Sequence, residues 1–151
     1  MLYTKLTKKA MIIAYRAHHG QFDKAGVPYI FHPYHLAEQM DDEISVCAAL
    51  LHDVIEDTAI TSEKLAADFP PEVVDAVMLL THRDDEDYLG YVMRLSRNTV
   101  AAKVKIADLK HNSDVSRLPS SIDSRAQARL KKYAAAIVIL EEAIKNSHDG
   151  P

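Results

Sequence analysis

The stretch ALLHDVIEDT, residues 49–58, ends an apolar run with four groups that are costly to bury: His52, Asp53, Glu56 and Asp57. Val46, Ala49, Leu50, Val54 and Ile55 surround them, and burying an ionised group costs several kcal/mol unless it is paired or bound to a metal. Asp53 and Asp57 are four residues apart, as are His52 and Glu56, so on a helix the four groups occupy two adjacent strips over one turn. Three carboxylates crowded there repel one another, and a divalent cation is the simplest neutraliser. The bland alternative is a solvent-facing helix end with a satisfied histidine. A His-Asp pair alone says little: a second, His148 and Asp149, lies in a tail where fraying is expected.

Two further segments strengthen the metal reading. His32 is fixed between the VPYIF loop and Pro33 and offers an imidazole at a helix start. Asp108 sits in VKIADLKHN among Val104, Ile106, Ala107 and Leu109, and an acid buried there needs a partner. Together His32, His52, Asp53 and Asp108 offer two imidazoles and two carboxylates. That set suits a borderline cation such as manganese, iron or zinc, with positions left for water or a substrate oxygen. Taken singly, each has a structural reading: His32 could cap a helix, and Asp108 could pair with Lys105 or Lys110.

The elements that must position these groups are helices. Residues 4–19 repeat apolar positions at helical spacing (Leu6, Ala10, Ile13, Ala17) and reach Gly20, a favoured stop. The stretch GQFDKAGVPYIFHP holds two glycines and two prolines and reads as a structured loop. Pro33 suits a first helical position, which predicts a short helix over 33–40, followed by a central, mostly apolar helix over 43–57. Thr61 can cap a helix to Phe69. EVVDAVMLL forms the next, after Pro70 and Pro71 and up to Thr81. RDDEDY is a solvated loop, and a helix follows over Tyr88 to Ser96. Asn98 or Thr99 can cap VAAKVKIADLKHN before Pro119 closes the next loop. Asp123 or Ser121 starts a long last helix. The VVDAVMLL and YAAAIVIL patterns read as core, though the latter could instead serve a dimer face, which leaves a homo-oligomer open.

Composition agrees. The chain has 151 residues, 48% of them hydrophobic, with only 4 glycines and 7% aromatics, a balance that suits one all-α domain spanning 1–151. The single cysteine, Cys47, lies in an apolar run and fits core filler in a reducing cytoplasm. No apolar stretch approaches the roughly 20 residues of a membrane span, and AMIIAY is too short for a signal peptide. With 18 basic and 22 acidic residues mixed along it, the chain has no general field for nucleic acid. Any anionic ligand must be held by a local site.

HHGQFDKAGVPYIFHP, AALLHDVIEDT and VKIADLKHN, in this order and spacing, resemble the HD-domain hydrolases of the RelA/SpoT alarmone family, above all the small single-domain members. These remove the 3′-pyrophosphate of guanosine tetraphosphate and pentaphosphate. The resemblance covers the chain from the first helix to Pro119. It implies an all-α bundle of about eight helices and one divalent ion, manganese first, with iron, zinc, cobalt or nickel as alternatives. It implies His32, His52, Asp53 and Asp108 as metal ligands, Glu56 and Asp57 as the catalytic acid pair, and Asn112 as a substrate contact. On that reading Glu56 or Asp57, kept off the metal, handles protons for attacking water and leaving oxygen. Anionic phosphates also need cations. Lys24 is favoured by its place in the motif, followed by Lys105, with Lys103, Lys110, Arg94 and Arg117 as further candidates. No synthetase segment is recognisable, so only the hydrolytic half of alarmone turnover is expected.

Two positions depart from the family pattern. Asp23 stands where an arginine helps hold the guanine base; a carboxylate cannot stack as a guanidinium does and repels phosphate. Leu109 stands where another arginine is usual. The alternatives to an alarmone hydrolase are a phosphohydrolase of the same architecture acting on another nucleotide or a phosphorylated dinucleotide cofactor, and a non-catalytic metal or nucleotide sensor. Intact Glu56 and Asp57 speak against the sensor, since binding alone needs no unligated acid pair.

Overall fold

A computed structural model describes residues 1–117 and 121–150, so the expected role of Pro119 lies outside the described residues. Among the described residues the chain forms nine α-helices: α1 (Lys5–Ala17), α2 (Phe31–Glu38), α3 (Glu43–Leu51), α4 (Val54–Asp57), α5 (Ser62–Asp68), α6 (Pro71–Leu80), α7 (Tyr88–Leu95), α8 (Thr99–Asn112) and α9 (Ser124–His148). A short 3-10 turn, Val115–Arg117, follows α8. No strand occurs among them; the loop after α1 holds one isolated bridge, Phe22 to Pro28. Among the described residues no helix is long and apolar enough to cross a membrane.

Polar side chains set most of the starts, as capping requires. Thr4 caps α1, Thr61 caps α5, Asn98 caps α8 and Asp123 caps α9, each accepting a first-turn backbone N–H. Asp42 caps α3 by accepting Ser45 N–H at 2.8 Å. Pro71 occupies the first position of α6, where its missing N–H is no loss.

Helix α3 is the axle of the bundle. Ser45 through Leu51 are all buried, and α1, α2, α6 and α8 pack around it. Helix α9 lies against α7 and α8. Its YAAAIVIL stripe is only half core: Ala136 and Leu140 are buried while Val138 is 54% exposed. Cys47 is buried, as expected of core filler.

Three boundaries differ from the sequence reading. Helix α2 begins at Phe31 rather than Pro33, because Phe31 and His32 donate their N–H groups back to Pro28 and Tyr29 carbonyls. Pro33 therefore sits inside the first turn, where amides lack intrahelical acceptors in any case, and His32 projects from the helix rather than preceding it. The helix expected over 43–57 is broken. The backbone at Asp53 (φ −107°, ψ 1°) leaves helical geometry and lies near the sparsely allowed bridge region where active-site residues often sit. The chain end expected to fray is helical through His148.

The core argument predicts that Leu50→Ala, at a position 1% exposed, lowers stability by about 2–5 kcal/mol. Urea unfolding should show a lower midpoint with an unchanged slope.

Candidate metal centre and its two cavities

The break between α3 and α4 delivers His52 and Asp53, α2 delivers His32, and α8 delivers Asp108. Ligand atoms of His32, His52 and Asp53 lie within 4.8 Å of one another, so these three residues can hold a divalent metal ion. Asp108 adjoins them, its Oδ1 2.9 Å from His32 Nε2 and 3.8 Å from His52 Nε2. His32, His52 and Asp108 are buried.

The donor set fits a cation in detail. His52 Nδ1 donates to the Ala49 carbonyl at 2.7 Å, which fixes the ring and aims Nε2 inward. Nε2 is buried and lacks a hydrogen bond, although Asp53 Oδ2 lies 3.0 Å away, because that approach has the wrong direction. A buried, unpartnered nitrogen this close to a carboxylate oxygen is what a shared cation would satisfy. Burial opposes charge on His52, but Asp53 and Asp108 outweigh it and push its pKa up to about 9. Burial likewise works against charge on Asp53, yet His52 and the Tyr29 hydroxyl hold it down to about 2. Asp108 is held well below the usual carboxylate range against its burial by Lys105, His32 and His52.

An outer set of residues steers these ligands. Tyr29 donates its hydroxyl to Asp53 Oδ2. Lys105 Nζ lies 2.8 Å from Asp108 Oδ2, and Asn112 Nδ2 donates to Asp108 Oδ1 at 2.9 Å. His111 Nδ1 lies 2.7 Å from His32 Nδ1. Burial, Arg117 and His32 push the His111 pKa down to about 4. For Tyr29 and His111 the sequence carries no signal beyond membership of the quoted motifs, next to Pro28 and Asn112.

Glu56 and Asp57 stand beside the candidate metal ligands. Oxygens of Asp53, Glu56 and Asp57 lie within 4.8 Å of one another. Glu56 Oε1 accepts the His82 backbone N–H at 2.8 Å, and the Asp57 carbonyl accepts Gln21 Nε2 at 3.0 Å. Burial first, then neighbouring carboxylates, raise both carboxyls.

Two cavities flank the cluster. One of about 360 Å³ is lined by Lys24, Tyr29, Asn112 and Arg117, with Phe22 and Tyr133 as apolar walls. The other, about 370 Å³, is lined by Asp53, Glu56, His82, Tyr88, Tyr91 and Lys105. Lys24, Asn112 and Lys105 thus reach a cavity, although Asn112 and Lys105 are also engaged with Asp108. The other cations divide: Arg117 lines the first cavity, whereas Arg94 pairs with Glu86 at 2.6 Å, Lys103 lies 3.9 Å from Asp41 and Lys110 pairs with Glu141 at 3.2 Å, none of them lining either cavity.

A helical bundle that gathers His, His-Asp and Asp from three separate segments is the construction of an HD-type metal site. The chain belongs to the HD domain family, whose model matches residues 10–111. It is 38% identical over 117 residues to a guanosine-3′,5′-bis(diphosphate) 3′-pyrophosphohydrolase of Haemophilus influenzae, covering 67% of this chain and 17% of the relative. It is 34% identical over 125 residues to a GTP pyrophosphokinase of Myxococcus xanthus (71% and 16%) and 32% identical over 123 residues to the bifunctional (p)ppGpp synthase/hydrolase SpoT of Escherichia coli (72% and 18%). The chain therefore spans less than a fifth of the length of these relatives. The fold matches a solved structure of a metazoan SpoT ortholog described as hydrolysing ppGpp, with a TM-score of 0.74 and 21% identity over 97% of this chain and 95% of that one.

Two outcomes are expected. Manganese should raise the melting temperature of the wild type, and Asp53→Ala should abolish that shift while retaining the helical circular dichroism spectrum. For Asp57, the folded pKa is raised, so its neutral form stabilises the fold fully below the unfolded pKa and that contribution is lost as pH rises through the folded pKa. With a chelator present, Asp57→Asn should melt higher than wild type at neutral pH, and the gap should close below about pH 4.

Proposed function

We propose that residues 1–151 form one domain acting as a manganese-dependent pyrophosphohydrolase that removes the 3′-pyrophosphate of guanosine tetraphosphate and pentaphosphate. The observation that carries the reading is the buried, unpartnered His52 Nε2 beside Asp53 and His32, next to an acid pair. The names of the relatives support the same reaction. His32, His52, Asp53 and Asp108 are assigned as the ligands. Asp108 qualifies through its contacts with both imidazoles.

A divalent cation held there supplies Lewis-acid polarisation of a phosphoryl oxygen and lowers the pKa of water. The chain's own residues do the rest. Glu56 or Asp57 accepts a proton from the attacking water as its oxygen bonds to phosphorus. The bond between phosphorus and the ribose 3′-oxygen breaks, and that oxygen takes up a proton from the acid pair. Two adjacent carboxyls with raised pKa values suit this exchange, because each is easier to protonate near neutrality than an exposed acid. Tyr29 holds Asp53 in place through its hydroxyl. Lys105 carries positive charge against the Asp108 carboxylate and faces the cavity that would receive phosphate. Lys24 and Asn112 are assigned to the nucleotide in the other cavity.

A release screen for phosphate and pyrophosphate with added manganese tests this over guanosine tetraphosphate, other nucleotides and phosphorylated dinucleotides. Pyrophosphate release from guanosine tetraphosphate is expected, with Glu56→Gln reducing kcat by roughly 10²–10⁴-fold. Unchanged turnover in Glu56→Gln and in Asp53→Ala would place the chemistry elsewhere.

A further inference from the structure

Asp23 does not stand free in the first cavity. Its Oδ1 accepts the backbone N–H groups of Ala25 and Val27 at 2.8 and 2.9 Å, which closes a turn made possible by Gly26 at φ +82°. Its Oδ2 accepts from Arg117 Nη2 at 3.1 Å, across 94 residues of sequence. Arg117 Nη1 donates to the His111 carbonyl at 2.8 Å. Both residues line the same cavity, opposite Leu130 and Tyr133 of α9.

These contacts decide what Arg117 can still do. Two of the five guanidinium N–H donors are committed, one to a carboxylate and one to a carbonyl, and Asp23 compensates the charge at contact distance, which weakens Arg117 as a phosphate anchor. Its planar face is engaged by neither partner, and such a face stacks on aromatic rings. We propose that the Asp23–Arg117 pair is a charge-compensated platform on which a nucleobase stacks, with Arg117 as the contact and Asp23 as the positioning residue. This rests on the reading of the domain as a nucleotide hydrolase. It goes beyond that reading by assigning base recognition to the segment after α8, and to a mode that accepts any base with a flat face. Phosphate selection is left to the other cations of the two cavities.

Calorimetric binding to the manganese-loaded protein separates the possibilities without requiring turnover. The probes are guanosine 5′-diphosphate, inorganic pyrophosphate and ribose 5-phosphate, with melting temperatures recorded for each variant. Arg117→Ala should weaken binding of the nucleotide roughly five- to a hundredfold, the loss expected of one stacking contact, and leave the two base-free probes unchanged. Arg117→Lys should do the same, because an ammonium keeps the charge and loses the plane. Asp23→Ala should weaken nucleotide binding too, and the double variant should be no weaker than Arg117→Ala, since the two act as one unit. Rescue by Arg117→Lys, or equal weakening of pyrophosphate, would overturn the proposal in favour of a phosphate contact. Lowered manganese affinity in Arg117→Lys would overturn it in favour of a structural role through His111. Failure of the wild type to hydrolyse any nucleotide would sink the proposed reaction and leave this binding result standing.

Discussion

A carboxylate at position 108, buried in the middle of a helical bundle, has to be compensated, and the site is organised by how that is done. Lys105 takes one oxygen, while His32 and Asn112 share the other. These partners come from α2 and from both sides of Asp108 on α8, so satisfying one charge ties two helices together against α3. Without such partners, burial of the ion would cost several kcal/mol. The same requirement recurs at Asp53, which draws on His52 and Tyr29. Two adjacent carboxylates, each compensated by different elements, stand beside two imidazoles.

That arrangement divides the surroundings into two unlike compartments. Tyr29 and Asn112 touch the acidic pair from the side of the aromatic-walled cavity, and Lys105 touches it from the side of Glu56. One compartment suits a planar group and the other suits charge. Glu56 lies on the second side, its carboxylate held by the His82 backbone amide, while the Asp57 backbone carbonyl accepts from the Gln21 side chain. Both contacts come from loop residues next to helices, Gln21 after α1 and His82 after α6.

Much of this was legible in the chain because local chemistry dictates it. Thr61 caps α5, and of the alternatives offered at the other two starts it is Asn98 and Asp123 that act, since capping needs only a side-chain oxygen next to free amides. The isolation of Asp108 among Val104, Ala107 and Leu109 announced a buried acid. The break at Asp53 was not legible. Helical periodicity continues across it, yet the backbone leaves helical geometry at Asp53. Asp23 was read as a liability for phosphate; its partner Arg117 lies 94 positions away, beyond any local rule. The three cations of α7 and α8 taken as phosphate candidates, Arg94, Lys103 and Lys110, proved to be committed to carboxylates or their vicinity that no spacing rule links to them.

By itself the chain determined that the fold is helical, where most of the helices start, and which residues are too polar for their apolar surroundings. These follow from hydrogen bonding and hydrophobic period over a few residues. The tertiary structure alone decided that His32 Nε2, His52 Nε2 and Asp53 converge, that His111 and Tyr29 steer them, and that Asp23 binds Arg117. Such pairings depend on how helices cross, and the crossing is set by the packing of the whole core rather than by any segment within it.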